Sequence, residues 1–268
     1  MSNATQVGPL LLPFTLLLMF ASAGSALALG KWLSKSSAEV DKTLWHALLV
    51  GVVLARCAFV YEYRTLYLAS PLSILDIRDG GWNPTAGLIG AWMFALYRER
   101  KAPTIRRPLR WALTAGTATF FIGTAVLALG GRLGQKMPEL AFTSLEGKAV
   151  NLNEFEGKPT VVNLWATWCP PCVREMPVLH EAQRQRIDVN FVFLNQGEEP
   201  GRVSRWLESQ RLTLRNVLLD PTRRASAAFE QKGYPTTLFL NAKGELVSTR
   251  LGELSAATLK ENLELLTP

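Results

Sequence analysis

Four apolar segments in the first half of the chain, at about residues 7–29, 43–61, 82–97 and 109–130, restrict this protein more than any other feature. Inside a bilayer every backbone polar group must be satisfied internally, so a run of this kind can only be a helix or part of a closed barrel. A helical crossing takes about 20 residues, with about 17 as the practical lower limit. The third segment sits at that limit, and its Gly87 and Gly90 suit close helix packing. Trp32, Trp45, Tyr61, Tyr63, Trp82, Tyr97 and Trp111 lie near segment ends, where aromatic rings favour the interface. The expectation is four membrane-spanning helices.

Charge supplies an orientation. Residues 1–136 carry 14 Lys+Arg against 6 Asp+Glu, whereas residues 137–268 carry 15 against 16, so the overall +7 belongs to the first half. A near-neutral second half lacks the basic stripe of a nucleic-acid binder, and no nucleic-acid partner is expected. The basic residues concentrate in RERKAPTIRRPLR, where Arg98, Arg100, Lys101, Arg106, Arg107 and Arg110 face one acid, Glu99. Such a loop stays on the cytoplasmic side. The loop after the first segment, with Lys31, Lys35 and Lys42, reads the same way. Four spans then place the N-terminus and everything after Arg132 outside the cytoplasm. The first segment ends in an Ala-Leu-Ala that a signal peptidase could cut, but no Lys or Arg precedes it, so it is expected to remain.

The stretches LARCAFVYEY (residues 54–63) and PLSILDIRDGGWNPTAGLIGAW (residues 71–92) resemble the early helices of bacterial prolipoprotein diacylglyceryl transferase. The resemblance spans roughly residues 44–134. It matches Asp79-Gly80-Gly81 and Gly87-Leu88-Ile89-Gly90 to family motifs, and Gly131-Arg132-Leu133-Gly134 to the start of a later one, with Gln135 in place of an asparagine. It also implies that the family's catalytic histidine falls at Thr85, which cannot serve as a base near neutral pH unaided. The membrane half is therefore expected to be a disabled relative, an anchor that keeps a lipid or partner surface. Arg56, in mid-span, is a functional candidate by position alone. Its plainer reading is an ion pair with Glu62 or Asp79, or snorkelling to the headgroups. Cys57 is expected to be an inert residue in a packing face.

The second half alternates short apolar runs with helical patterns. Strands are predicted at residues 160–165, 189–195, 217–219, 237–240 and 245–251, and helices at 171–186, 201–210, 225–232 and, capped by Ser255, to 266. This is an α/β sheet with helices on both faces. The predicted division is a membrane domain at 1–131, a linker at 132–136 and a folded domain at 137–268.

Within this domain lies VVNLWATWCPPCVREMP, with Cys169 and Cys172 at a strand-to-helix junction, and GYPTT follows about 60 residues on. Trp-Cys-Pro-Pro-Cys, Glu-Met-Pro and Tyr-Pro-Thr-Thr resemble the TlpA/ResA group of membrane-anchored thioredoxin-like proteins, over residues 137–268 nearly end to end. The fold expected is therefore an α-helical transmembrane region followed by an α/β thioredoxin-like domain. At a helix start Cys169 meets free N–H groups, which favour the thiolate, the attacking species. Cys172, one turn inside, is placed to resolve a mixed disulfide. Pro170 and Pro171 suit the first helical turn. Trp168 is expected as an exposed aromatic lip, and Pro177 as a kink in the helix. Glu175 shares a helix face with Cys172 and is the acidic candidate within the motif, since Asn163 occupies the strand position where thioredoxin has an aspartate. The resemblance implies that Glu175 tunes the cysteines, that Tyr234–Pro235 is cis, and that Tyr234, Pro235 and Thr236 contact the substrate with Trp168, Pro170 and Pro171.

A structural zinc site wants four ligands, and His180 lies eight residues past Cys172, so no resident metal and no cofactor are expected. Metal capture by the pair alone, as in a copper carrier, stays open. A disulfide closing so small a loop stabilises little. Dithiol–disulfide exchange is the expected chemistry. The resemblance implies a reductase of oxidised protein substrates in the periplasm, recharged by a membrane electron donor of the DsbD/CcdA kind, in a multi-pass protein of the bacterial inner membrane. A disulfide oxidase or isomerase is the alternative, as is a docking or lipid-binding module with a secondary redox site.

Overall fold

The computed structural model describes residues 4–7, 10–35, 37–69, 71–130 and 134–266. It divides the chain into two compact units, residues 12–130 and residues 131–268 with 1–11. Two short strands, β1 (Ala4–Val7) and β2 (Leu10–Pro13), pair with one another.

The first unit is helical: α1 (Phe14–Leu33), α2 (Ala38–Glu62), the short α3 (Arg64–Ala69), α4 (Pro84–Lys101) and α5 (Arg106–Gly130). The first apolar helix thus starts at Phe14 and not at residue 7, because residues 4–7 and 10–13 are extended. Among the described residues three helical stretches, Phe14–Leu33, Ala38–Glu62 and Pro103–Leu129, are long and apolar enough to cross a membrane. The expected fourth, α4, does form, but its 18 residues end on Arg98, Glu99, Arg100 and Lys101, leaving too short an apolar stretch to meet that standard. Its glycines do allow close approach: a methyl on Gly87 would stand 3.0 Å from both the Ala55 Cβ and the Gly51 carbonyl oxygen of α2. A side-chain hydrogen bond from Trp92 Nε1 to Thr117 Oγ1 (3.1 Å) ties α4 to α5, and Ser25 and Thr119 link α1 to α5. Cys57 is exposed on α2, so it faces away from the packing seam expected for it.

The second unit follows as β3 (Ala141–Ser144), β4 (Ala149–Asn151), β5 (Thr160–Trp165), α6 (Pro170–Gln185), β6 (Asn190–Gln196), α7 (Pro200–Ser209), β7 (Val217–Asp220), α8 (Arg224–Ala228), β8 (Thr236–Leu240), β9 (Leu246–Leu251) and α9 (Ala256–Glu264). The sheet order is β4-β3-β7-β6-β5-β8-β9, with β7, β6 and β5 parallel and the flanking strands antiparallel. Successive residues of β5 serve opposite faces, as the pleat requires. Val161 and Trp165 pack with Leu179 of α6, Val203 of α7 and Leu263 of α9, while Val162 and Leu164 pack with Ala225 of α8 and Phe229 at its end. Helices on both faces of a sheet with this order make a thioredoxin-like α/β domain.

The strands β3 and β4 have no counterpart in the predicted elements, and α8 stops at Ala228 rather than running to 232. Of the expected linker, Arg132 and Leu133 lie outside the described residues. Residues 134–136 are not a free tether. Gly134 N–H donates to the Leu246 carbonyl and Leu246 N–H to the Gln135 carbonyl, both at 2.8 Å, so this stretch lies along the β8–β9 hairpin.

Candidate active site

The site begins with β5, whose six residues are all buried and deliver the chain to the sheet's carboxyl edge. Cys169 occupies the N-cap of α6, with Pro170 and Pro171 in the first turn. Proline fits there because its missing N–H has no intrahelical partner to lose. Cys169 and Cys172 form a disulfide with Cα atoms 5.3 Å apart, and the Cys172 N–H points at the Cys169 sulfur at 3.3 Å. Cys172 is fully buried and Cys169 nearly so. The helix continues through Pro177.

Around the disulfide the structure gathers most of the expected residues. The Tyr234–Pro235 peptide is cis. The Trp168 ring is 52% exposed and meets the Tyr234 ring edge-on, with centroids 6.1 Å apart. Tyr234 is anchored through its hydroxyl to Ser226 Oγ at 3.1 Å, and Ser226 donates to Gln196 Oε1 at 2.8 Å. Pro170 is exposed, Pro171 half-buried and Pro235 buried. Thr236 departs from its expected part. It is buried, and its hydroxyl donates to the Gly233 carbonyl at 2.7 Å, so its side chain is turned into the protein and taken up by the turn.

Glu175 is fully buried on α6, three residues after Cys172. Its Oε1 accepts from Asn163 Nδ2 at 2.8 Å and its Oε2 from the Leu254 N–H at 2.9 Å. Burial pushes its carboxyl up to about 8, well above the ordinary carboxylate range, against the pull of those two donors. The group is therefore mostly protonated at neutral pH.

A second carboxylate beside the site escaped sequence reasoning. Glu198, nearly buried in the turn after β6, accepts from the Thr167 N–H (2.7 Å), the Thr167 hydroxyl (2.6 Å) and Asn195 Nδ2 (2.8 Å), and pairs with Arg202 at 3.0 Å. It holds the peptide immediately before Trp168 and Cys169. In sequence it reads as one acid of a polar turn, GEEP, and nothing local links it to a residue 31 positions earlier. Glu198→Ala should leave the buried Asn195 amide and the Thr167 N–H without their acceptor. An orphaned buried donor costs about 1–3 kcal/mol, so urea unfolding should show a loss on the order of 1–3 kcal/mol from the Asn195 amide, with a smaller addition from the half-buried Thr167.

Arg56 belongs to the other unit. It pairs with Asp79 at 3.0 Å and not with Glu62, settling the choice between the two acids. Among the described residues no group of three or more His, Cys, Asp or Glu is arranged to hold a metal ion.

Comparison with known proteins follows the same division. Residues 132–264 match the redoxin family, and residues 5–143 match the prolipoprotein diacylglyceryl transferase family. Thiol-disulfide oxidoreductase ResA of Halalkalibacterium halodurans is 30% identical over 139 residues, covering 51% of this chain and 78% of that protein. Thioredoxin-like protein YneN of Bacillus subtilis is 29% identical over 143 residues, covering 51% and 82%. Among solved structures, a putative thiol:disulfide interchange protein DsbE from Chlorobium tepidum is 24% identical, with a TM-score of 0.46 over 50% of this chain and 97% of that one. The cysteine pair and its surroundings thus lie in a region that belongs to the redoxin family as a thiol-disulfide oxidoreductase of the ResA type, joined in one chain to a region of the prolipoprotein diacylglyceryl transferase family.

Proposed function

We propose that this protein is a membrane-anchored reductase of protein disulfides, working through the Cys169–Cys172 dithiol on the outer side of the bacterial inner membrane. The observation that carries the reading is the cysteine pair at the start of α6, with the buried Glu175 one turn along the helix. In the dithiol form, the Cys169 thiolate attacks a sulfur of an oxidised client. One client sulfur leaves as a thiolate and takes up a proton, and the other is held in a mixed disulfide with Cys169. Cys172 then gives up its proton and attacks Cys169, which releases the second client thiolate and closes the 169–172 disulfide. Two electrons pass to the client. In its ionised form Glu175, whose carboxyl is pushed up to about 8, takes the proton that Cys172 gives up in the second step. Trp168, Pro170, Pro171, Tyr234 and Pro235 form the surface against which the client strand lies.

Recharging needs an electron source across the membrane, because the periplasm is kept oxidising. A DsbD/CcdA-type membrane protein would supply that thiol. We assign α4 as a fourth span whose charged last turn emerges into the cytoplasm with the arginine-rich loop, so that residues 137–268 lie outside as a domain of their own. The buried Glu99, bridged by Arg106 and Arg110, fits a loop folded at that surface. The region at 1–131 serves as an anchor in contact with lipid.

The test is the reduction potential of Cys169–Cys172, read by equilibration with a dithiol buffer. For this two-electron couple about 30 mV corresponds to 1.4 kcal/mol, so the measurement separates the classes readily. A value near or below roughly −270 mV, the thioredoxin range, supports a reductase. A value near −120 mV, as in DsbA, would make the protein an oxidant and overturn the proposed direction.

A further inference from the structure

Arg56 is held more completely than an ion pair needs. Its Nε donates to the Ile74 carbonyl (3.2 Å) and its Nη1 to Asp79 Oδ1 (3.0 Å) and the Gly81 carbonyl (2.8 Å). Its Nη2 donates to the carbonyls of Ser73 (3.3 Å), Ile74 (3.1 Å) and Asp76 (3.0 Å). Asp79 is fixed in turn by the Tyr67 hydroxyl (2.8 Å) and the Gly81 N–H (3.1 Å). The guanidinium also lies over the rings of Tyr67 and Trp82, 5.3 and 5.8 Å from their centroids. Burying an arginine in a membrane helix is expensive. Here it binds four carbonyls of one short stretch, residues 71–82, whose own structure is two 3₁₀ turns, Pro71–Leu75 and Ile77–Asp79. The stretch is fitted closely to α2 at its end as well: a Cβ on Gly81 would fall 2.2 Å from the Phe59 ring.

What this clamp displays is apolar. Leu72 is 83% exposed, Leu75 79% and Ile77 62%, and Leu68 of α3 is 73% exposed. Large apolar side chains exposed this fully within ten residues of chain point to an interaction surface. The charges of the stretch are all paired: Arg78 binds both carboxylate oxygens of Asp76 (2.8 and 2.7 Å), and Asp79 binds Arg56 of α2. Such a surface offers a charged partner little to recognise. Tyr61, 71% exposed at the end of α2, and the half-buried Trp82 flank it with the side chains that favour the headgroup level. On α2 itself Val52 and Val53 are exposed apolar residues.

We infer that residues 71–82, held by Arg56, form a rigid platform that lies in the bilayer at the C-terminal end of α2, with Leu72, Leu75 and Ile77 immersed at the boundary between headgroups and acyl chains. Its ligand is phospholipid. The inference rests on the reading of α2 as a membrane span, and the test separates the two. In the full chain with Cys57→Ala, Cys169→Ser and Cys172→Ser, single cysteines at Leu72, Val53 and Ile187 are given nitroxide labels. Each protein is reconstituted in vesicles of phosphatidylcholine and phosphatidylglycerol. Collisions with oxygen, which concentrates in lipid, are compared with collisions with a water-soluble nickel chelate. The label at Leu72 should group with that at Val53 in favouring oxygen, and the label at Ile187 should favour nickel. Arg56→Gln should return the Leu72 label to nickel while leaving Val53 unchanged. A Val53 label favouring nickel would sink the spanning reading itself. A lipid-exposed Val53 beside a water-exposed Leu72 would overturn the platform and leave a protein partner as the occupant. A Leu72 label still immersed after Arg56→Gln would overturn the clamp.

Discussion

Cys169→Ser should abolish thiol-disulfide exchange, and Cys172→Ser should arrest it one step later as a stable mixed disulfide between Cys169 and the client. The asymmetry follows from position. Cys169 caps α6, with the Cys172 N–H 3.3 Å from its sulfur, so its thiolate faces backbone donors and the positive end of the helix. A helix-start site favours the thiolate, which is the attacking species. Serine does not ionise there and cannot form the bond. Cys172 is fully buried and reaches no client sulfur, so its loss spares the first attack and removes only the release. The measurement is turnover of a fluorescent disulfide substrate, with non-reducing electrophoresis of the Cys172→Ser protein to detect the covalent species. Persistent turnover by Cys169→Ser would defeat the assignment of the nucleophile.

The second large effect concerns Glu175 and pH. Its carboxyl titrates near 8 in the folded protein against an ordinary value of 4.5, because burial penalises the charged form more than Asn163 and the Leu254 N–H favour it. The folded state thus holds this proton more tightly than the unfolded chain. The stabilisation from Glu175 is fully present below pH 4.5, declines as pH rises between 4.5 and 8, and is gone above. One pKa unit is 1.36 kcal/mol, so the whole window corresponds to roughly 5 kcal/mol. Urea unfolding of residues 134–268, with the disulfide closed, should show a steep fall in stability from pH 5 to pH 8. Glu175→Gln should remove most of that slope. It should also cost about 1–3 kcal/mol at pH 5, since an amide offers one acceptor oxygen where the carboxyl meets two donors. An unchanged slope in the variant would show that Glu175 is not the group responsible.

The placement of the cysteine pair at a strand-to-helix junction was legible before the structure, because it depends on short-range rules. TVVNLW reads as a buried strand, and Pro170-Pro171 suit the first turn of the helical pattern that follows it, which puts Cys169 at the junction. The burial of Glu175 was half legible. Its helix face followed from the spacing to Cys172, but whether that face meets solvent depends on Asn163 and on Leu254, which is 79 residues away in sequence. Glu198 was illegible for the same reason. The edge strands β3 and β4 were missed because four and three residues carry too little alternation to stand out. In the membrane half, the third segment already stopped at residue 97, before the charges, but α4 begins at Pro84 rather than 82, so its apolar stretch falls short of the limit at which it was expected to stand.

By itself the sequence determined two regions of different solvent preference, a helix-start dithiol and a proline turn about 60 residues later, since each depends on residues close together along the chain. Tertiary structure alone decided which acids are removed from water and which partner Arg56 takes. The free energy of a charged group depends on everything packed around it, and those neighbours come from distant parts of the chain. The proton on Glu175, the grip of Glu198 on Thr167 and the clamp of Arg56 on residues 71–82 are therefore products of the fold.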